Sequence, residues 1–337
     1  MSANQAFPTV LVVLALLGCT TGLGASSRPS VVDSQGRIEQ APPSYVAYVV
    51  HQFTDEVTAV DVSTRQVIGR GPTGRNPHEI VASPDGARLY ATDEEGGTVS
   101  VLDRATLQPI ARWAAGTSPH GIEVTPDGRL VLVTNGPIGL LLALDAQTGD
   151  VVRRIPVPRG AHLIHLSPDG TRAYVTATAE ASLTVIALPG LEFVTTLPMG
   201  AGSEGTGVSP DGRWVYVANR AANDVWIVDA QQLAIVGRVA VHQEPIRIVF
   251  SPDSSRAYVS QIAGDRILAI DTATQAVVGE IVAGNGPVGM AITPDGAYLL
   301  AANINGGDLS IIDLAAARSI ATVPTGGGPD GIVLLPL

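Results

Sequence analysis

Residues 208–229 read VSPDGRWVYVANRAANDVWIVD. The opening Ser-Pro-Asp-Gly is turn chemistry. Proline presets φ at the second turn position, aspartate bonds nearby backbone, and glycine accepts the left-handed conformation. Val215-Tyr216-Val217-Ala218 and Val225-Trp226-Ile227-Val228 then follow as two strand segments that are apolar on both faces. Such strands belong to a sheet covered on both sides.

The same stretch recurs along the chain. Ser/Thr-Pro-Asp places its proline at Pro84, Pro126, Pro168, Pro210, Pro252 and Pro294, always 42 residues apart. An aspartate series keeps the same period at Asp61, Asp103, Asp145, Asp229, Asp271 and Asp313, with Ala187 as its gap. A third series is Tyr48, Tyr90, Tyr174, Tyr216 and Tyr258, with Leu132 and Leu300 in the remaining places. Residues 44–337 number 294, which is seven periods with no remainder. Within one period, residues 120–125, 129–134, 140–144 and 150–157 read as four short strands separated by turns. Four strands repeated every 40 or so residues describe a β-propeller blade. The chain enters on a second strand (45–50) and leaves on a first strand (331–335). Its two ends therefore complete one blade and pair the free edges of the ring. The expected fold is an all-β, seven-bladed β-propeller of four-stranded antiparallel blades, closed by amino-terminal strands pairing with the carboxy-terminal strand.

The blade formula Ser-Pro-Asp-Gly, then Tyr216-Val217-Ala218-Asn219, then Val-x-Val-x-Asp-x-x-Thr resembles the YVTN-repeat propellers of bacterial envelope and surface proteins. The resemblance covers all seven blades. It implies the fold and leaves function open among binding proteins, surface proteins, lactonase-like enzymes and haem-d1-associated proteins.

Upstream of the repeats, residues 9–18 read TVLVVLALLG and lead into Cys19, the chain's one cysteine. Ten apolar residues are too few for a membrane-spanning helix, which needs about 20. They fit the apolar region of a signal peptide. Leu16-Leu17-Gly18-Cys19 resembles a bacterial lipobox, so residues 1–19 read as a lipoprotein signal, Cys19 as its lipidation site and residues 20–43 as a flexible tether. Residues 1–8 lack the positive charge usual in such signals. The alternative is an ordinary secretory peptide cut near Leu23-Gly24-Ala25. Either way the protein is expected to be exported to the periplasm or cell surface, touching membrane only through the anchor.

Composition narrows the chemistry. A net charge of −11 argues against binding nucleic acid by phosphate neutralisation. All 20 basic residues are arginine, which removes Schiff-base lysines and Walker-type phosphate loops. One cysteine permits neither an internal disulfide nor a cysteine-pair metal site. Twelve of the 31 acidic residues belong to the two repeated turn series, so the acidity is largely turn chemistry on one rim.

The other rim carries residues that do not repeat. At the entry to each first strand stand His78, His120, His162, Glu204, Ile246, Val288 and Asp330. In a propeller these strands border the central channel. The next position holds glycine in four repeats, with Glu79, Leu163 and Arg247 breaking the pattern. His51 and His242 map to the same face, whereas His165 sits in an apolar strand and reads as a satisfied core histidine. Two readings stay open. One is a binding face for a small molecule or an envelope protein, with Glu79, Arg247, Asp330, His51 and His242 as candidate contacts. The other is a metal site for Zn, Cu or Fe, with His78, His120, His162 and Glu204 as ligands and Glu204 also the candidate catalytic base of a hydrolase or lactonase. A haem- or redox-associated role is a third, implied by the resemblance alone.

Overall fold

The computed structural model describes residues 44–337, together with the backbone of Ser30–Val32 and Ile38–Gln40, which pair antiparallel within a unit of their own. Residues 1–29, with the signal segment and Cys19, lie outside the described residues.

Seven four-stranded antiparallel sheets make up residues 44–337, six of them with their strands in sequence order. Blade I joins Pro329–Pro336 to Tyr45–His51, Glu56–Asp61 and Gln66–Pro72. Its closing pairs run from Tyr45 with Pro336 to His51 with Pro329, so the two ends of the repeat array share one sheet. Blades II to VII begin with Pro77–Ala82, Pro119–Val124, Ala161–Leu166, Ser203–Val208, Pro245–Phe250 and Pro287–Ile292. First strands of neighbouring blades touch one another around the axis. Fourth strands such as Ala276–Val282 are exposed on the perimeter.

Apolar clusters lie between blades and explain why the middle strands show no polar alternation. Tyr174, Leu183 and Val185 of blade IV pack on Val215, Val217 and Trp226 of blade V. Each sheet is covered on both faces, as the continuous apolar runs require. The tyrosine series is buried in these seams: Tyr216 meets Phe250 edge-on at 5.0 Å, and Tyr90 lies 5.6 Å from Trp113. The ring closes tightly near the axis. A Cβ on Gly205 would fall 2.1 Å from the Ile246 carbonyl oxygen, and one on Gly289 equally close to that of Asp330. Glycine at these places lets the backbone of the adjacent blade approach closely.

Candidate functional site at the channel mouth

Each first strand begins with a β-bulge. In blade II, Pro77 pairs with Asp93 and Ile80 with Ala91, so His78 and Glu79 together oppose Thr92. Blades III and VI shift register at the equivalent place, as does the closing strand of blade I between Pro329 and Ile332. A bulge breaks strict alternation and re-aims side chains. Adjacent residues of the pair therefore both serve the channel: His78 meets His120, and Glu79 meets Arg247.

A hydroxyl locks four of these bulges. Thr92 Oγ1 accepts the Glu79 N–H at 3.1 Å and donates to the His120 carbonyl at 2.6 Å. Thr134 does the same for Gly121 and the His162 carbonyl. Thr176 serves Leu163 and Glu204, and Ser260 serves Arg247 and Val288. Every link joins one blade's bulge to the next blade's first strand.

The three imidazoles form a stack. Ring centroids are 3.5 Å apart for His78–His120 and 3.6 Å for His120–His162, against 6.1 Å between the outer two. Carboxylates close both ends. Asp330 Oδ2 lies 2.9 Å from His78 Nδ1 and accepts a 2.7 Å bond from Gln52 Nε2. Glu204 Oε1 lies 4.0 Å from His162 Nε2, while its other oxygen is 3.5 Å from Arg220, which also pairs with Glu244 at 2.7 Å.

One layer deeper, Arg247 spans the channel from blade VI to blade II. Its Nη2 and Nε donate to Glu79 Oε1 at 2.7 and 3.1 Å. The same guanidinium lies 3.7 Å from Asp330 and 3.9 Å from Glu204. One cation thus faces three carboxylates.

Electrostatics separate the histidines. Burial opposes charge on His78, but the Asp330 carboxylate outweighs it and the pKa rises. Burial drives His120 and His162 well below the ordinary imidazole value; neighbouring imidazoles add to this for His120, and Arg247 adds to it for His162. At neutral pH these two rings are uncharged, and their buried Nδ1 atoms have no hydrogen-bond partner. Burial pushes Glu79 upward despite Arg247, whereas His78 and Arg247 hold Asp330 below the usual carboxylate range against its burial.

The structure brings His78, Glu79, His120, His162, Glu204, Arg247 and Asp330 into one group. The stacked rings do not converge on a common point. Among the described residues, the metal-competent donor atoms lying within 4.8 Å of one another are those of His78, Glu79 and Asp330. His51 is fully buried and ends a second strand, where other blades carry Asn135, Asn219 or Asn303. His242 is exposed in the crossing to blade VI. His165 departs from the expected satisfied core residue. It lines a cavity in the channel, and its Nδ1 is buried without a partner. Its strand borders the axis, so a side chain one bulge away from simple alternation points inward.

Sequence reasoning missed Gln52, Arg220, Glu123 and the hydroxyl series. The last is legible at the same period, as Thr92, Thr134, Thr176 and Ser260.

A YNCE-like beta-propeller family model matches residues 38–208, just over half of the chain. The chain belongs to the YNCE-like beta-propeller family. No curated protein matches this YNCE-like propeller. Among solved structures it is similar to Kuenenia stuttgartiensis hydrazine synthase, with 21% identity and a TM-score of 0.69 over 77% of this chain and 95% of that one. It is also similar to a functionally unknown protein from Desulfotomaculum acetoxidans, with 16% identity and a TM-score of 0.75 over 86% and 98% of the respective chains. A third likeness is to the dihydro-heme d1 dehydrogenase NirN in complex with DHE, at 21% identity and a TM-score of 0.65, covering 88% of this chain and 76% of that one. At these identities the likeness is one of fold.

Proposed function

We propose that this YNCE-like propeller is an exported protein, anchored through Cys19, that binds a small molecule at the histidine-bearing mouth. One observation carries the binding reading. A cleft of about 440 Å³ opens beside the stack, lined by Glu94, Ser118, His120, Arg159, His162 and Thr178. That volume lies within the range of small-molecule sites, roughly 300–1,000 Å³. Uncharged His120 and His162 supply ring nitrogens that can donate or accept, and exposed Arg159 supplies a cation for an anionic substituent. Differential scanning fluorimetry against a metabolite panel tests this. Hits should raise the melting temperature of the parent protein and not of His120→Ala or His162→Ala. A panel in which no compound separates parent from variants overturns the reading. Globomycin-sensitive processing that disappears in Cys19→Ala tests the anchor.

A second reading, a metal-dependent enzyme with Glu204 as base, has His78, Glu79 and Asp330 in its favour. Arg247 weighs against it there, since a guanidinium 2.7 Å from Glu79 already meets the charge a cation would neutralise. Stoichiometric Zn, Cu or Fe in protein purified without a histidine tag would restore it. A visible absorbance band in the purified protein would favour a haem-associated role, which so far has the likeness to NirN behind it.

A further inference from the structure

We propose that the channel holds a second binding site, beneath the Arg247–Glu79 bridge, for a small uncharged molecule with a hydroxyl or amide head and an apolar body. This site is separate from the mouth and stands whether or not the mouth binds a ligand.

A cavity of about 150 Å³ lies here, with Glu79, Arg247, Glu123 and His165 in its lining. Glu123 and His165 occupy the same position of consecutive repeats, 42 residues apart, on the first strands of blades III and IV. The other five repeats place Val81, Gly207, Val249, Ala291 and Val333 there. Two titratable side chains on neighbouring strands therefore interrupt an apolar ring. The rest of the wall is apolar, including Ile80, Ile122, Ile164, Val249, Met290 and Val333. An engineered apolar cavity of ~150 Å³ takes up benzene, which sets the size class of the occupant.

The polar groups set its chemistry. Burial raises the Glu123 carboxyl to about 8, and the Glu79 charge adds to that. Burial lowers His165 to about 4, with Arg247 contributing. Both are uncharged at neutral pH. A carboxylic acid offers one donor and an acceptor, and a neutral imidazole offers one of each. The buried Nδ1 of His165 has no protein partner. Arg247 already donates twice to Glu79, so it does not stand as a free counter-charge for an anion. A head that both donates and accepts satisfies the pair, while a fixed charge would be stranded against apolar walls.

Titration calorimetry at pH 7 with four probes tests the site: phenol and butyramide as uncharged ligands, butyrate and butylammonium as charged ones. The uncharged probes should bind and the charged ones should not. Glu123→Leu and His165→Leu should each weaken phenol binding by about tenfold or more, because a buried partner is left unpaired. Glu123→Gln keeps an uncharged donor and acceptor and should stay within about threefold of the parent, which separates loss of the site from loss of folding. His120→Ala, at the mouth, should leave phenol affinity unchanged. Equal binding of butyrate or butylammonium, no binding of either uncharged probe, or loss of phenol binding in His120→Ala would each overturn the proposal. Loss in His120→Ala would place the phenol at the mouth instead.

Discussion

The two rims of the propeller arise from one 42-residue repeat and use their charges in opposite ways. On the turn rim every repeated aspartate is satisfied locally. Asp85 accepts from the Ser83 hydroxyl and the Ala87 N–H, and Asp127, Asp169, Asp211 and Asp253 do likewise in their own blades. The Ser83 hydroxyl in particular holds the Asp85 carboxyl below its ordinary range. At the channel rim the charges do not repeat. Arg247 answers to Glu79, Glu204 and Asp330 from three other blades. A charge that recurs with the period is a local cap, and one that breaks the period acts collectively.

The sharpest break of this contrast is Arg247→Ala. It leaves Glu79 without its cation and Asp330 with His78 alone, and removing one partner of a buried ion pair costs about 3–5 kcal/mol. Urea unfolding should register a loss of that size. Replacing the pair together, as Glu79→Gln with Arg247→Met, should recover most of it. A loss below about 1 kcal/mol in Arg247→Ala would mean that the channel charges are as independent as those of an exposed pair.

Glu123 extends the contrast to pH. Its folded pKa of about 8 lies above the ordinary value of 4.5. The folded protein therefore holds this proton more tightly than the unfolded chain does. The associated stability is complete below pH 4.5 and is lost as pH rises through 8. The loss should amount to about 2–4 kcal/mol after allowing for the partial exposure of Glu123. His51 and His165, both lowered to about 4 by burial, act in the other direction. Their stability is full above pH 6.5 and is lost as pH falls toward 4. Chemical denaturation from pH 5 to 9 should show parent stability falling toward the alkaline end, with Glu123→Gln flattening that limb. An unchanged slope in Glu123→Gln would assign the alkaline loss to another group.

Much of this was legible before any coordinates. The 42-residue period, the Pro-Asp-Gly turns and the apolar middle strands specify the blades, because turn chemistry and burial pattern act locally. The positions of His78, His120, His162, Glu204 and Asp330 at one mouth followed from the period as well. The stacking of the rings did not follow, nor did the Glu79–Arg247 bridge across 168 residues of sequence. Both depend on the bulge, which one register offset decides, and on side-chain reach across the axis. His165 was misread for the same reason: an apolar neighbourhood in sequence says nothing about which side of a first strand meets the channel. The second-strand asparagines sit in the blade formula, but their partners lie on neighbouring segments that the formula does not specify. Asn135 Nδ2 donates to the Ala115 carbonyl at 2.7 Å, pinning the crossing into blade III. Both residues are fully buried, so Asn135→Ala should lose about 1–3 kcal/mol in thermal or urea unfolding. A neutral result would show that water replaces the amide.

The smallest effect belongs to the turn rim, where Asp61 is the most enclosed case. Its Oδ1 accepts the Ser63 N–H at 2.8 Å, the Ser63 hydroxyl at 2.6 Å and the Thr64 N–H at 3.1 Å. Burial works against the charge, yet these bonds keep the carboxyl below 3.8. Its stability contribution is present above that value and fades as pH falls through the folded pKa. Asp61→Ala should cost about 1 kcal/mol, the usual worth of such a cap, and Asp61→Asn less. Combining Asp61→Ala with Asp229→Ala, a cap in another blade, should give the sum of the two single losses to within about 0.5 kcal/mol, because no partner is shared. The same cycle on Glu79 and Arg247 should depart from the sum by more than 1 kcal/mol, or about that, as residues in one charge network do. Strong coupling between two turn aspartates would erase the difference between the rims, since caps that satisfy themselves have no route by which to sense one another.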